Sequence, residues 1–61
     1  MNERAMVQMQ LVKLFRQNRE WTQAEAAEWY GCSERSWRRY ETGERNVPQP
    51  LMNRIGNWRP K

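Results

Sequence analysis

The stretch that decides the fold is Thr22-Gln23-Ala24-Glu25-Ala26-Ala27-Glu28-Trp29-Tyr30-Gly31-Cys32-Ser33-Glu34-Arg35-Ser36-Trp37-Arg38-Arg39-Tyr40-Glu41-Thr42-Gly43. It opens on a capping box. The Thr22 hydroxyl can accept from the amide three residues on, and the Glu25 carboxylate can reach back to the Thr22 amide. Ala24, Ala26 and Ala27 favour helix and leave its packing face thin, which predicts a helix from Gln23 to about Tyr30 that another helix can approach closely. Gly31 stands where a left-handed residue ends such a helix. Ser33 then offers a second N-cap, with helical residues from Glu34 to about Glu41 behind it and Thr42-Gly43 as the stop. The stretch therefore reads as two short helices joined by a tight turn. Trp37 and Tyr40 share one side of the second helix and read as core rather than as platforms for stacking bases.

Outward from this pair the pattern stays helical. Val7, Leu11, Leu14 and Phe15 recur at i, i+4, i+7 and i+8, predicting a first helix over Ala5 to Asn18. Met9 and Val12 widen its apolar stripe, while Gln10, Lys13 and Gln17 point away. Residues 1–4 read as a flexible start. Arg19-Glu20-Trp21 interrupts the period, and Trp21 and Ala26 occupy the positions of a hydrophobic staple. After a loop over Glu44 to Val47, Pro48 and Pro50 introduce a last helix, from Gln49 to about Asn57, with Leu51, Met52, Ile55 and Trp58 as its apolar side. Gly56 weakens its end, Pro60 stops it, and residues 59–61 read as a flexible tail. No segment alternates apolar and polar residues over a strand's length. The expectation is an all-α domain over residues 5–58, of four or five helices.

Composition narrows the function classes. The 61 residues hold one modest core, so stability is marginal unless a partner adds contacts, and a homodimer is expected. With a single cysteine, Cys32, and no histidine, neither an internal disulfide nor a zinc spacing exists. Cys32 reads as a small apolar side chain in the turn. No secretory leader or membrane span is read, and a reducing cytoplasm is the expected compartment. Without histidine, aspartate or a glycine-rich phosphate loop, no enzymatic role and no cofactor or small-molecule ligand is expected. The net charge of +4 lies wholly in residues 33–61, and nine of the eleven basic residues are arginine, whose planar fork suits phosphates and guanine edges.

The residues Phe15 to Gln23, then Ala26-Ala27, Gly31, Ser33, Trp37, Tyr40-Glu41 and Gly43 resemble the phage Cro/repressor (Xre-type) helix-turn-helix family over about residues 11–56. The spacing of Gln23, Ala27, Gly31 and an apolar residue at 37, closed by Tyr40-Glu41-x-Gly43, carries the resemblance. The sequence departs from the family where Ala26 replaces leucine, Cys32 an aliphatic residue, and Trp37 isoleucine or valine, so one indole re-sizes the core. The tract Ser36 to Glu41 followed by Val47-Pro48 looks like a phage-associated subset of small autorepressors, anti-CRISPR regulators among them. The resemblance implies a λ-repressor-like fold and a double-stranded DNA operator, palindromic if the chain is a dimer, in a bacterial or phage-infected cell.

The exposed side of the second short helix, with Ser33, Glu34, Arg35, Ser36, Arg38 and Arg39, suits the major groove, where arginine pairs with guanine O6 and N7. A solvated charged face is the ordinary alternative. The family's base-reading positions fall on Glu34, Arg35 and Arg39, with Ser33 and Arg38 nearby. Glu34 either accepts from cytosine N4 or orients Arg35 or Arg38. Backbone contacts are expected from Gln23 and Thr22, where the helix dipole favours an anion, and from Thr42, Arg45 and Asn46. Capping alone accounts for Thr22. The resemblance assigns Arg16 and Glu41 to a structural ion pair. Leu51, Met52, Ile55 and Trp58 are candidates for a dimer contact, although packing on the first helix explains some of them equally well. Trp29 covers either a helix edge or a partner surface. The competing readings are an antitoxin-like protein-interaction module with secondary DNA binding, and single-strand binding through the aromatics.

Overall fold

The computed structural model describes residues 3–58. In chain order, α1 spans Glu3–Asn18, α2 Gln23–Tyr30, α3 Glu34–Thr42 and α4 Gln49–Ile55, and no strand occurs among the described residues. Among the described residues no helix is long and apolar enough to cross a membrane.

The helix ends follow local chemistry. Thr22 Oγ1 accepts from the Glu25 amide at 3.1 Å while Glu25 Oε1 accepts from the Thr22 amide at 2.9 Å, completing the capping box. Gly31 closes α2 in the left-handed region, at φ 94°, with its N–H donating to the Ala27 carbonyl. Ser33 caps α3 through the Ser36 amide, and Gly43 ends that helix at φ 81°. Pro48 and Pro50 open α4.

Two ends differ from expectation. α1 begins at Glu3 rather than Ala5, so Glu3 and Arg4 are helical, and the Glu3 carboxylate sits favourably at the positive end of the helix dipole. α4 stops at Ile55 because Gly56 turns the backbone to φ 70°, and Trp58 lies beyond it. Pro60 and the tail 59–61, like residues 1 and 2, lie outside the described residues.

The core is a set of small contributions from every helix: Val12 and Phe15 from α1, Ala26 and Ala27 from α2, Trp37 and Tyr40 from α3, Leu51 and Ile55 from α4. α2 packs chiefly on α3, and α1 bridges α3 and α4. The two buried alanines let α2 come close, and the Trp37 indole fills the volume they leave. α1 is rotated from its expected setting. Leu11, Val12 and Phe15 face inward, whereas Val7 is 50% and Leu14 39% exposed.

Phe15 is the hub of an aromatic cluster, with ring centroids 6.3 Å from Trp21, 5.3 Å from Trp29 and 5.6 Å from Trp58. Trp21 therefore pins the α1–α2 corner by lying against Phe15 and Trp29, a larger contact than a staple to Ala26 would give. The same cluster gives Trp29 an intramolecular role, with the Arg54 guanidinium over its ring at 4.7 Å. Arg19 covers Phe15 in the same way, at 4.6 Å.

Candidate nucleic-acid interface

The site is built from the inside out, and its foundation is a carboxylate. Glu41 lies at the end of α3 and is buried, a placement that requires its charge to be matched. Arg16 of α1 supplies the match in a two-pronged pairing, with Nε 2.6 Å from Oε2 and Nη2 3.2 Å from Oε1. Two further donors complete the shell. The Trp37 indole N–H donates to Oε2 at 2.6 Å, and the Gln23 amide Nε2 donates to Oε1 at 3.2 Å. Burial on its own pushes the Glu41 carboxyl up, but the hydrogen bonds from Arg16, Trp37 and Gln23, with the Arg16 charge, outweigh it and hold the group below the usual carboxylate range. Arg16 also donates through Nη1 to the Trp21 carbonyl at 2.9 Å. One ion pair thus ties α1, the corner before α2, α2 itself and α3 together.

Above this foundation α3 turns its charged side outward. Glu34, Arg35 and Arg38 are exposed, and Arg39 and Ser36 are half-buried. Arg35 makes no hydrogen bond or ion pair among the described residues. Arg38 Nε donates to Gln23 Oε1 at 3.3 Å, with Nη2 3.7 Å from Glu34 Oε1. Arg39 lies 3.7 Å from Glu44, a long contact that leaves about a third of its side chain open. Ser33 and Ser36 have duties inside the protein. Ser33 Oγ accepts from the Ser36 amide and donates to Ser36 Oγ at 3.0 Å, which makes both hydroxyls part of the α3 cap.

Of the expected backbone contacts, Thr22 is exposed at the start of α2 and Gln23 half-buried there, but their side chains are committed to the capping box and to the Glu41–Arg38 bridge. Thr42, Arg45 and Asn46 lie exposed at the far end of α3 and in the loop beyond it. There the Thr42 hydroxyl and the Arg45 amide both donate to the Arg39 carbonyl. The dimer candidates fare differently. Leu51 and Ile55 are buried against the chain's own core, and Met52 and Trp58 are half-buried against it, because α4 needs its apolar side to close the domain. Leu51 and Ile55 are thereby withdrawn as a dimer surface.

Sequence reading missed two features. The indole-to-carboxylate bond had a readable signal, since Trp37 and Glu41 stand four apart on one helix side and a buried indole N–H needs an acceptor. The Gln23 bridge had none, because it joins residues 15 and 18 apart on different helices.

Residues 10–57 match the Helix-turn-helix domain family, which is most of the chain. The protein belongs to that family, whose architecture places the second helix of the pair against DNA. Comparison with curated proteins and with solved structures finds no match.

Proposed function

We propose that this protein is a sequence-specific repressor of the Cro or autorepressor kind, binding a double-stranded operator as a homodimer with α3 in the major groove. The observation that carries the reading is the cationic outer side of α3, with Arg35 exposed and Arg38 and Arg39 beside it, on a helix whose inner side is anchored by Trp37, Tyr40 and the Glu41–Arg16 pair. Such a helix presents guanidinium groups on a rigid rod, which is what hydrogen bonding to guanine O6 and N7 requires. Arg35 and Arg39 are the principal base readers, with Glu34 and Arg38 next to them. Ser33 and Ser36 lie at the helix entry, where a phosphate or neighbouring base passes.

The Gln23 backbone amide opening α2, with Thr22 beside it holding the capping box, and the Thr42, Arg45 and Asn46 region bracket α3 and supply phosphate contacts on either side of the groove. The aromatic side chains support duplex over single-strand binding, because Trp37 is fully buried and Trp21, Trp29 and Trp58 pack around Phe15. The compartment this implies is that of the DNA, the cytoplasm of a bacterial or phage-infected cell.

Selection of binding sites from random duplexes, followed by anisotropy titration at physiological salt, tests the reading. The expected result is a symmetric pair of half-sites bound at least a thousandfold more tightly than random duplex. Arg39→Ala is expected to lose about 1–3 kcal/mol on the selected site and to relax base preference there. Equal affinity for selected and random duplex overturns sequence-specific control.

A further inference from the structure

We infer that Gln23 is a positioning residue for Arg38, fixing that guanidinium on the DNA-facing side of α3 through a relay that starts at the buried Glu41 carboxylate. The inference rests on the DNA-binding reading above and names how one arginine of that site is held.

A glutamine amide has a donating end and an accepting end, and its neighbours decide which faces where. On the inner side of Gln23 stands Glu41, an ionised carboxylate that accepts only. On the outer side stands Arg38, a guanidinium that donates only. A single orientation satisfies both, with Nε2 inward at 3.2 Å from Glu41 Oε1 and Oε1 outward at 3.3 Å from Arg38 Nε. The reverse orientation would set oxygen against oxygen on one side and N–H against N–H on the other.

Two consequences follow. The outward atom of Gln23 is an acceptor, which a phosphate would repel, so the phosphate contact expected of this position is assigned to the Gln23 backbone amide. The second concerns Arg38. Its Nε–H is occupied by Gln23 and its Nη2 lies 3.7 Å from Glu34, so Nη1 is the terminal nitrogen with no partner among the described residues. A guanidinium held in this way meets a guanine edge through its terminal end, with Glu34 beside it. Glu41 is itself immobilised by Arg16 and by Trp37, whose side chain is fully buried, so the rigidity of the core is handed outward through one amide to a side chain that solvent would otherwise leave mobile.

The experiment is a double-mutant cycle on the duplex selected by the wild type, using Gln23→Met, which keeps length and removes both polar ends, and Arg38→Ala, an exposed position. Thermal unfolding of each variant confirms that folded protein is compared. The expected result is that Gln23→Met and Arg38→Ala each lose about tenfold in affinity, relax preference at the same base pair, and combine with no further loss. Additive losses, or a Gln23→Met variant that weakens all duplexes alike and lowers the salt dependence by about one counterion, overturn the assignment in favour of a phosphate contact. An Arg38→Ala variant with unchanged base preference overturns it as well. A wild type that shows no base preference removes the DNA reading and this assignment with it. Preference that survives in Gln23→Met removes this assignment alone.

Discussion

Glu41 accepts four hydrogen bonds from three residues, and no buried side-chain polar atom among the described residues lacks a partner. Its carboxyl is held below the ordinary range, which makes it a stability group with a defined sign. A carboxylate with a depressed folded-state pKa contributes fully above its unfolded value, about 4.3, and the contribution is lost as pH falls through the folded pKa. Urea unfolding followed by tryptophan fluorescence is therefore expected to give a flat stability between pH 6 and 7 from this group. A decline should set in below about pH 4.3, and stability rising on acidification through that window would contradict the arrangement. Glu20 is a residue of the opposite kind, working against the fold. It holds φ at 59° in the turn after α1, a left-handed conformation that costs an L residue about 1–2 kcal/mol and glycine almost nothing. Glycine gives back part of that gain as extra freedom in the unfolded chain, so Glu20→Gly is expected to stabilise by about 0.5–1 kcal/mol. Calorimetry should show the melting temperature rising by about 2–8 °C.

At the scale of elements, what the sequence disclosed was whatever a helix decides within its own first and last turns. Thr22 with Glu25, Gly31, Ser33 and Gly43 are local devices, and each sits in the structure where its chemistry predicted. Ser33 is the simplest to test. Its hydroxyl accepts from the Ser36 amide at 3.1 Å, so Ser33→Ala is expected to cost about 1 kcal/mol by denaturant titration, and an unchanged midpoint would show that the cap contributes nothing. The rotation of α1 was not legible. Its apolar residues cover more than one stripe, and either Val7 with Leu14 or Val12 with Phe15 satisfies a helical period. The choice is made by what α3 and α4 present, since Trp37 and Leu51 fill the space that Val12 and Phe15 face. The site divides in the same way. That α3 would carry arginines outward followed from spacing, and the Glu34–Arg38 pairing lies four apart on that helix, whereas the commitment of Gln23 to Glu41 and Arg38 depended on distances between helices that no sequence pattern encodes.

The described residues measure 27 × 26 × 17 Å along their principal axes, and this bounds how the domain would meet the proposed operator. Half-sites read from one side of a duplex lie one helical turn apart, about 34–36 Å, which exceeds the longest dimension of a single chain. On the function proposed above, one copy reads one half-site, and a symmetric operator calls for a second copy in contact with the first. α4 cannot provide that contact with Leu51 and Ile55, which are already enclosed. The large exposed hydrophobic side chains among the described residues are Met6, Val7 and Leu14, all on α1. By helical spacing they share a side with the uncharged Gln10 and Gln17 and, in the first turn, with Glu3, whose charge lies far from its twin when the two helices meet antiparallel. Burying this side against its twin also answers the shortage of core in so short a chain. Replacing both Val7 and Leu14 by glutamate leaves Leu11, Val12 and Phe15 in place, so the domain is expected to fold and to sediment as a monomer where the wild type sediments as a dimer. Affinity for an isolated half-site should change little once the added negative charge is allowed for, while the cooperative gain from joining two half-sites disappears. A variant that remains dimeric and cooperative would move the contact off α1 altogether.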